Sequence, residues 1–193
     1  MRRRHYFNLV CAKGKWDDVL RHLEISRHLD KISKTGSTIL HQVCCFQPPR
    51  KVVERIVALY PKLIMVVDIC GRLPLHEACR YKASLEVIEF MVDAYSRAAY
   101  IQDRQGKTPL HYASDVGFAH DYLLLDVILS LSARCPHTLT FQDSRGMTPV
   151  DIILTSFGHR SSSFINHLLE IIAVGGEPPI FGDFQHKRNA SYV

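Results

Sequence analysis

The chain has 193 residues, 47% hydrophobic and 22% charged, with a formal net charge of +5; this is enough apolar material for a substantial core and argues against a disordered chain. No apolar run approaches the roughly 18 to 20 residues that cross a bilayer, and the basic start MRRRHYFNLV lacks the apolar region and cleavage site of a secretory signal, so the expectation is a soluble intracellular protein, cytoplasmic or nuclear. Six scattered cysteines, Cys11, Cys44, Cys45, Cys70, Cys79 and Cys135, in a chain too long to need a disulfide framework are expected to be reduced thiols.

Taken in chain order, FNLVCAKGKWDDVLRHLE (7–24) predicts a degenerate helix pair turning at Gly14, with an apolar stripe of Trp16, Val19, Leu20 and Leu23. GSTILHQVC (36–44) predicts a short helix after a tight turn, and PPRKVVERIVALY a longer one with a stripe of Val52, Val53, Ile56, Val57 and Tyr60. The pattern returns as GRLPLHEAC (71–79) followed by SLEVIEFMVDAY, where Ser84 is the expected cap and Val87, Ile88, Met91, Val92 and Tyr95 the stripe. It returns again as GKTPLHYAS (106–114) followed by FAHDYLLLDVIL, with extra residues after Gly117, and as GMTPVDIIL (146–154) with a serine-rich GHRSSS loop behind it. EPPIFGDFQHKRNASYV has no lasting periodicity and reads as a tail (178–193) that packs in part through Ile180, Phe181 and Phe184.

The glycines Gly36, Gly71, Gly106 and Gly146 recur at intervals of 35, 35 and 40 residues, and Ser33, Asp68, Asp103 and Asp143 each stand three residues before one. Such a period marks stacked units, each too small to bury its own apolar face. Within a unit the chemistry is consistent: Asp103 begins a turn, Gly106 supplies a positive φ, Thr108 caps the helix and Pro109 fits its first position.

The pattern resembles the ankyrin repeat, whose signature is Gly-x-Thr-Pro-Leu-His-x-Ala. Departures fall at Ile39 in place of the proline, Leu73 in place of the threonine and Asp151 in place of the histidine. The fold expected is all-α: an ankyrin-type helical solenoid of four recognisable repeats (near 34–68, 69–103, 104–143 and 144–177) behind an N-terminal cap (5–33), together one domain over 1–177. The resemblance implies that His41, His76 and His111 are hydrogen-bonding pins between turns rather than active sites.

Chemistry competes poorly with that reading. HQVCC and HEAC give His-x-x-Cys on one helix face, but a structural zinc needs four converging ligands at about 2.0 to 2.3 Å, and stacked units stand roughly 10 Å apart. No metal, cofactor, small-molecule substrate or catalytic residue is expected, and the chain is not expected to be an enzyme. A cysteine-dependent enzyme using Cys79 or Cys44 remains the alternative class. Weak charge-driven nucleic-acid binding is another, because residues 1–100 hold 17 Lys and Arg against 10 Asp and Glu while 101–193 hold 7 against 9.

What remains is surface. The expected function is a non-catalytic protein-interaction module or scaffold, a monomer that holds a partner on a concave face made of turn tips and first helices. In the resembling family those positions carry recognition. Here they are Lys34, Thr35, Ser37, Gln42 and Phe46 in the first unit and Ile69, Arg72, Glu77, Arg80 and Tyr81 in the second. The third contributes Arg104, Gln105, Lys107, Tyr112 and Asp115, and the fourth Arg145 and Met147. A cation near every tip (Lys34, Arg72, Arg104 with Lys107, Arg145) predicts a positive ridge that prefers an acidic partner.

Overall fold

The computed structural model describes Phe7, residues 9–25, 32–115 and 122–157, and the single helical positions 166, 170 and 173. The basic run at 1–5, the insertion over 116–121, the GHRSSS loop and the 178–193 tail with Ile180, Phe181 and Phe184 lie outside the described residues. Among those described, every regular element is helical and no strand occurs.

The helices are α1 (Trp16–Ile25), α2 (Ile39–Cys44), α3 (Arg50–Leu59), α4 (Pro74–Arg80), α5 (Leu85–Ala94), α6 (Pro109–Ser114), α7 (Tyr122–Arg134) and α8 (Pro149–Phe157). Short and long helices alternate because each unit carries a short segment, proline-led in all but the first, and then a longer amphipathic one. Contacts divide them into two rows. In one row α2 packs on α4, α4 on α6 and α6 on α8; in the other α1 packs on α3, α3 on α5 and α5 on α7.

One continuous apolar core runs between the rows. Leu40, Leu75 and Leu110, equivalent in three successive units, are 0%, 1% and 1% exposed, so truncating any one to alanine should cost about 2 to 5 kcal/mol. From α3 the core takes Val52, Val53 and Ile56, and from α5 Val87, Ile88, Met91 and Val92; Val57, Tyr60 and Tyr95 are half-buried at the margin. Val19 and Leu23 of α1, with Phe7, Val10 and Cys11 before it, cover the open apolar side of the first unit.

One local expectation is corrected. Ser84 stands at the N-cap of α5, yet its hydroxyl makes no cap bond. Three 3-10 turns, Pro61–Met65, Ser96–Tyr100 and Pro136–Thr140, follow the long helices where no element is legible from periodicity. They are five residues each, less than two turns and too short to show a period, and they tuck Leu63, Ile64, Ala98, Ala99, Thr138 and Leu139 into the interior.

Candidate functional site

Three of the four tips owe their shape to one carboxylate each. Asp68 Oδ1 accepts the amides of Cys70 and Arg72 (2.8 and 2.9 Å), Asp103 Oδ1 those of Gln105 and Lys107 (2.8 and 2.9 Å), and Asp143 Oδ1 those of Arg145 and Met147 (2.8 and 3.1 Å). In the first tip Ser33 takes this place and its hydroxyl lies 2.8 Å from that of Thr35. Neighbouring tips are joined by single amide bonds: Ile69 N–H to Thr35 O (3.0 Å), Arg104 N–H to Cys70 O (2.9 Å) and Ser144 N–H to Gln105 O (2.8 Å). So close an approach excludes a side chain at the turn. Gly36 sits at φ +72°, and a Cβ there would lie 2.8 Å from the Asp68 Cα.

The three histidines occupy one role repeated. His41 Nδ1 accepts the Thr38 amide (3.2 Å) and hydroxyl (2.9 Å), while Nε2 donates to the Arg72 carbonyl of the next unit (2.9 Å). His76 Nδ1 accepts the Leu73 amide (3.0 Å) and Nε2 donates to the Ile101 and Lys107 carbonyls (3.1 and 3.2 Å). His111 does the same between Thr108 (3.0 Å to the amide) and Met147 O (3.2 Å). This geometry needs a neutral ring with its proton on Nε2. Burial pushes all three below the usual imidazole value, His76 to about 4. Asp151 replaces this residue in the fourth unit; its carboxylate accepts the Thr148 amide (2.8 Å) and hydroxyl (2.7 Å) and, ionised, has no proton to pass onward.

Both ring nitrogens of His41 and His76 are thus engaged, leaving no lone pair for a metal at the His-x-x-Cys spacing. Cys44 and Cys79 are buried at 0% and 2% exposure, and burial drives their thiols well above the usual value. A nucleophilic thiol needs the opposite shift.

A groove of about 860 Å³ opens between the second and third tips. It gathers Ile69, Arg72, Arg80, Arg104, Gln105, Lys107, Tyr112 and Asp115 from the sequence-derived set, and adds Cys70 and Asp103. Lys34, Thr35, Ser37, Gln42, Phe46, Tyr81, Arg145 and Met147 lie outside its lining. Asp103 was legible only as a turn residue; its second oxygen accepts the Tyr112 hydroxyl at 2.6 Å, which fixes the ring on the groove wall.

The ridge of free cations is corrected in detail. Arg72 does not project to solvent: its guanidinium is held between Asp68 Oδ2 (2.8 Å) and Glu77 Oε1 (2.9 Å), with the side chain 19% exposed. Burial favours the neutral Asp68 carboxyl, but the Arg72 amide and guanidinium outweigh it and hold the group below the usual carboxylate range. Glu77 is likewise no contact for a partner, because it is 5% exposed and turned to Arg72; burial raises its pKa and Arg72 offsets part of the rise. Arg145 is paired with Asp143 at 3.1 Å.

Arg80, Arg104 and Lys107 stand differently. No carboxylate among the described residues lies within ion-pair distance of any of them. The Arg80 guanidinium lies 5.6 Å from the Tyr81 ring centre and the Lys107 ammonium 5.3 Å from that of Tyr112, contacts that orient a cation without cancelling its charge. Asp115, exposed at the end of α6, is the acid beside them.

A family model of ankyrin repeats (3 copies) matches residues 40–134. The chain is an ankyrin-repeat protein, and repeats of this kind are generally protein-interaction modules and typically non-catalytic. No curated protein matches the chain. No helix among the described residues is long and apolar enough to cross a membrane.

Proposed function

We propose that the protein is a monomeric, non-catalytic scaffold, cytoplasmic or nuclear, that holds a partner protein on its concave tip and first-helix surface, with an acidic segment of that partner in the groove between the second and third tips. The observation that carries this is the set of three cations, Arg80, Arg104 and Lys107, converging on one groove without a carboxylate partner among the described residues. Complementary charge there raises the association rate and selects the partner. Tyr81 and Tyr112 supply the amphipathic rings that often anchor interfaces. Free cysteines throughout the described residues accord with a reducing compartment.

The test places a photo-cross-linking residue at Gln105, identifies the captured protein and measures its affinity for the wild type and for an Arg80→Glu, Arg104→Glu, Lys107→Glu variant. The charge-reversed protein is expected to keep its melting temperature and lose most of the affinity. Equal affinity of the two proteins for the captured partner overturns the reading. Binding of that surface to single-stranded or duplex oligonucleotides in preference to the protein would turn it toward nucleic acid.

A further inference from the structure

Among the exposed side chains of each tip, two flank the residue that closes the turn. In order these are Ile32 and Lys34, Val67 and Ile69, Gln102 and Arg104, Gln142 and Ser144, all exposed. The tips follow one another in that order through the amide bonds at Ile69, Arg104 and Ser144. At these positions the first tip pairs an aliphatic side chain with a cation, the second is aliphatic at both, the third pairs an amide with a cation and the fourth is neutral polar. Ile32, Val67 and Ile69 are 56%, 46% and 51% exposed. Val67 and Ile69 stand together at the second tip, with Ile32 on the first beyond the exposed Lys34; a short aliphatic run at the mouth of a charged groove favours a contact surface over scattered single residues. The run stops at the third tip, where the Gln102 side-chain amide is tied to Gly106 O (2.7 Å) and Gln142 O (2.9 Å).

Ile69 belongs to both surfaces: it ends the aliphatic row and lines the groove with Arg80, Arg104 and Lys107. We propose that the partner segment is bipartite, an extended peptide whose aliphatic side chains cover Ile32, Val67 and Ile69 and whose carboxylates reach Arg80, Arg104 and Lys107 further along the same strand. This deepens the acidic-partner reading and rests on it. Burying the aliphatic contacts supplies affinity and the carboxylates set register and direction. Adjacent tips follow the roughly 10 Å spacing of packed helices, and an extended strand advances about 3.3 Å per residue. The aliphatic anchor and the first carboxylate are then separated by about three residues.

The experiment is fluorescence anisotropy on the full chain with three labelled short peptides, each made in both chain directions. The first has a leucine pair about three residues from a glutamate pair, the second has serine for leucine, and the third has glutamine for glutamate. The first is expected to bind, and the other two to bind about tenfold more weakly or worse. Ile69→Ser, at an exposed position and checked by thermal melting, weakens the first peptide by about the same factor and leaves the serine peptide unchanged; Arg104→Glu weakens both. If the serine peptide binds as tightly as the leucine one, or Ile69→Ser has no effect, the bipartite assignment falls while the acidic reading stands. If Arg104→Glu leaves every peptide unaffected, or no peptide binds at millimolar concentration, both fall.

Discussion

The second and third units share a backbone and differ in what they do with charge. Arg72 and Glu77 in the second unit are the counterparts of Lys107 and Tyr112 in the third, 35 residues on. In the second unit the carboxylate closes on the guanidinium and the cation becomes part of the framework. In the third the ring lies beneath the ammonium, and its hydroxyl turns away to Asp103. The same tip position is therefore structural in one unit and open to a ligand in the next, decided by the residue that the first helix offers it.

The sharpest way to break this comparison is Arg72→Ala. It strands Asp68 and Glu77, whose side chains are 6% and 7% exposed, and should cost about 3 to 5 kcal/mol in urea unfolding, as removal of one partner of a buried pair does. Lys107→Ala should cost less than about 1 kcal/mol. Equal losses would mean that the two tips are electrostatically alike.

Acid probes the histidine pins in the same two units. Their imidazoles are harder to protonate in the folded protein than in the unfolded chain, so the unfolded chain takes up protons first. Stability is then expected to fall as pH drops below 6.5, with the His76 share fully lost only below about 4. The urea midpoint measured at pH 7.5 and at pH 5 should show the drop, and His76→Gln should be less stable at pH 7.5 and less sensitive to the change.

A smaller effect separates the first tip from the last. Gly36→Ala meets both a positive φ and the Asp68 backbone, whereas a Cβ on Gly146 has nothing within 4 Å. The first substitution should cost about 2 kcal/mol or more and the second about 1 kcal/mol, the strain of the left-handed conformation alone. Thermal melting of the two variants measures the difference.

The smallest effect is on stability from the groove itself: Arg104→Glu should move the unfolding free energy by less than about 0.5 kcal/mol, because the residue is exposed and has no ion-pair partner among the described residues. A larger loss would place Arg104 with Arg72 as framework.

Much of this was legible from residues. The turn at Gly106 and the helix from Pro109 follow from local chemistry repeated at a fixed period, the pinning role of His111 from the family resemblance, and the backbone follows that chemistry. The charge ledger of the tips was not legible. Arg72 reads as one more tip cation until the tip folds back over α4 and brings Glu77 within 2.9 Å. Glu77 reads as an exposed first-helix residue until that pair removes it from solvent. The 3-10 turns escaped because less than two turns shows no period, although Pro61 and Pro136 mark the start of two of them.

By itself the sequence determined the repeat, its helices, the placement of the turn glycines and the apolar stripes that make stacking favourable, since each depends on residues within one unit. Only the tertiary structure decided which cations are cancelled and which are left to face a groove. Ion pairing depends on distances of a few ångströms between side chains, and the groove on two tips 35 residues apart in the chain, separations that no spacing along a single unit encodes.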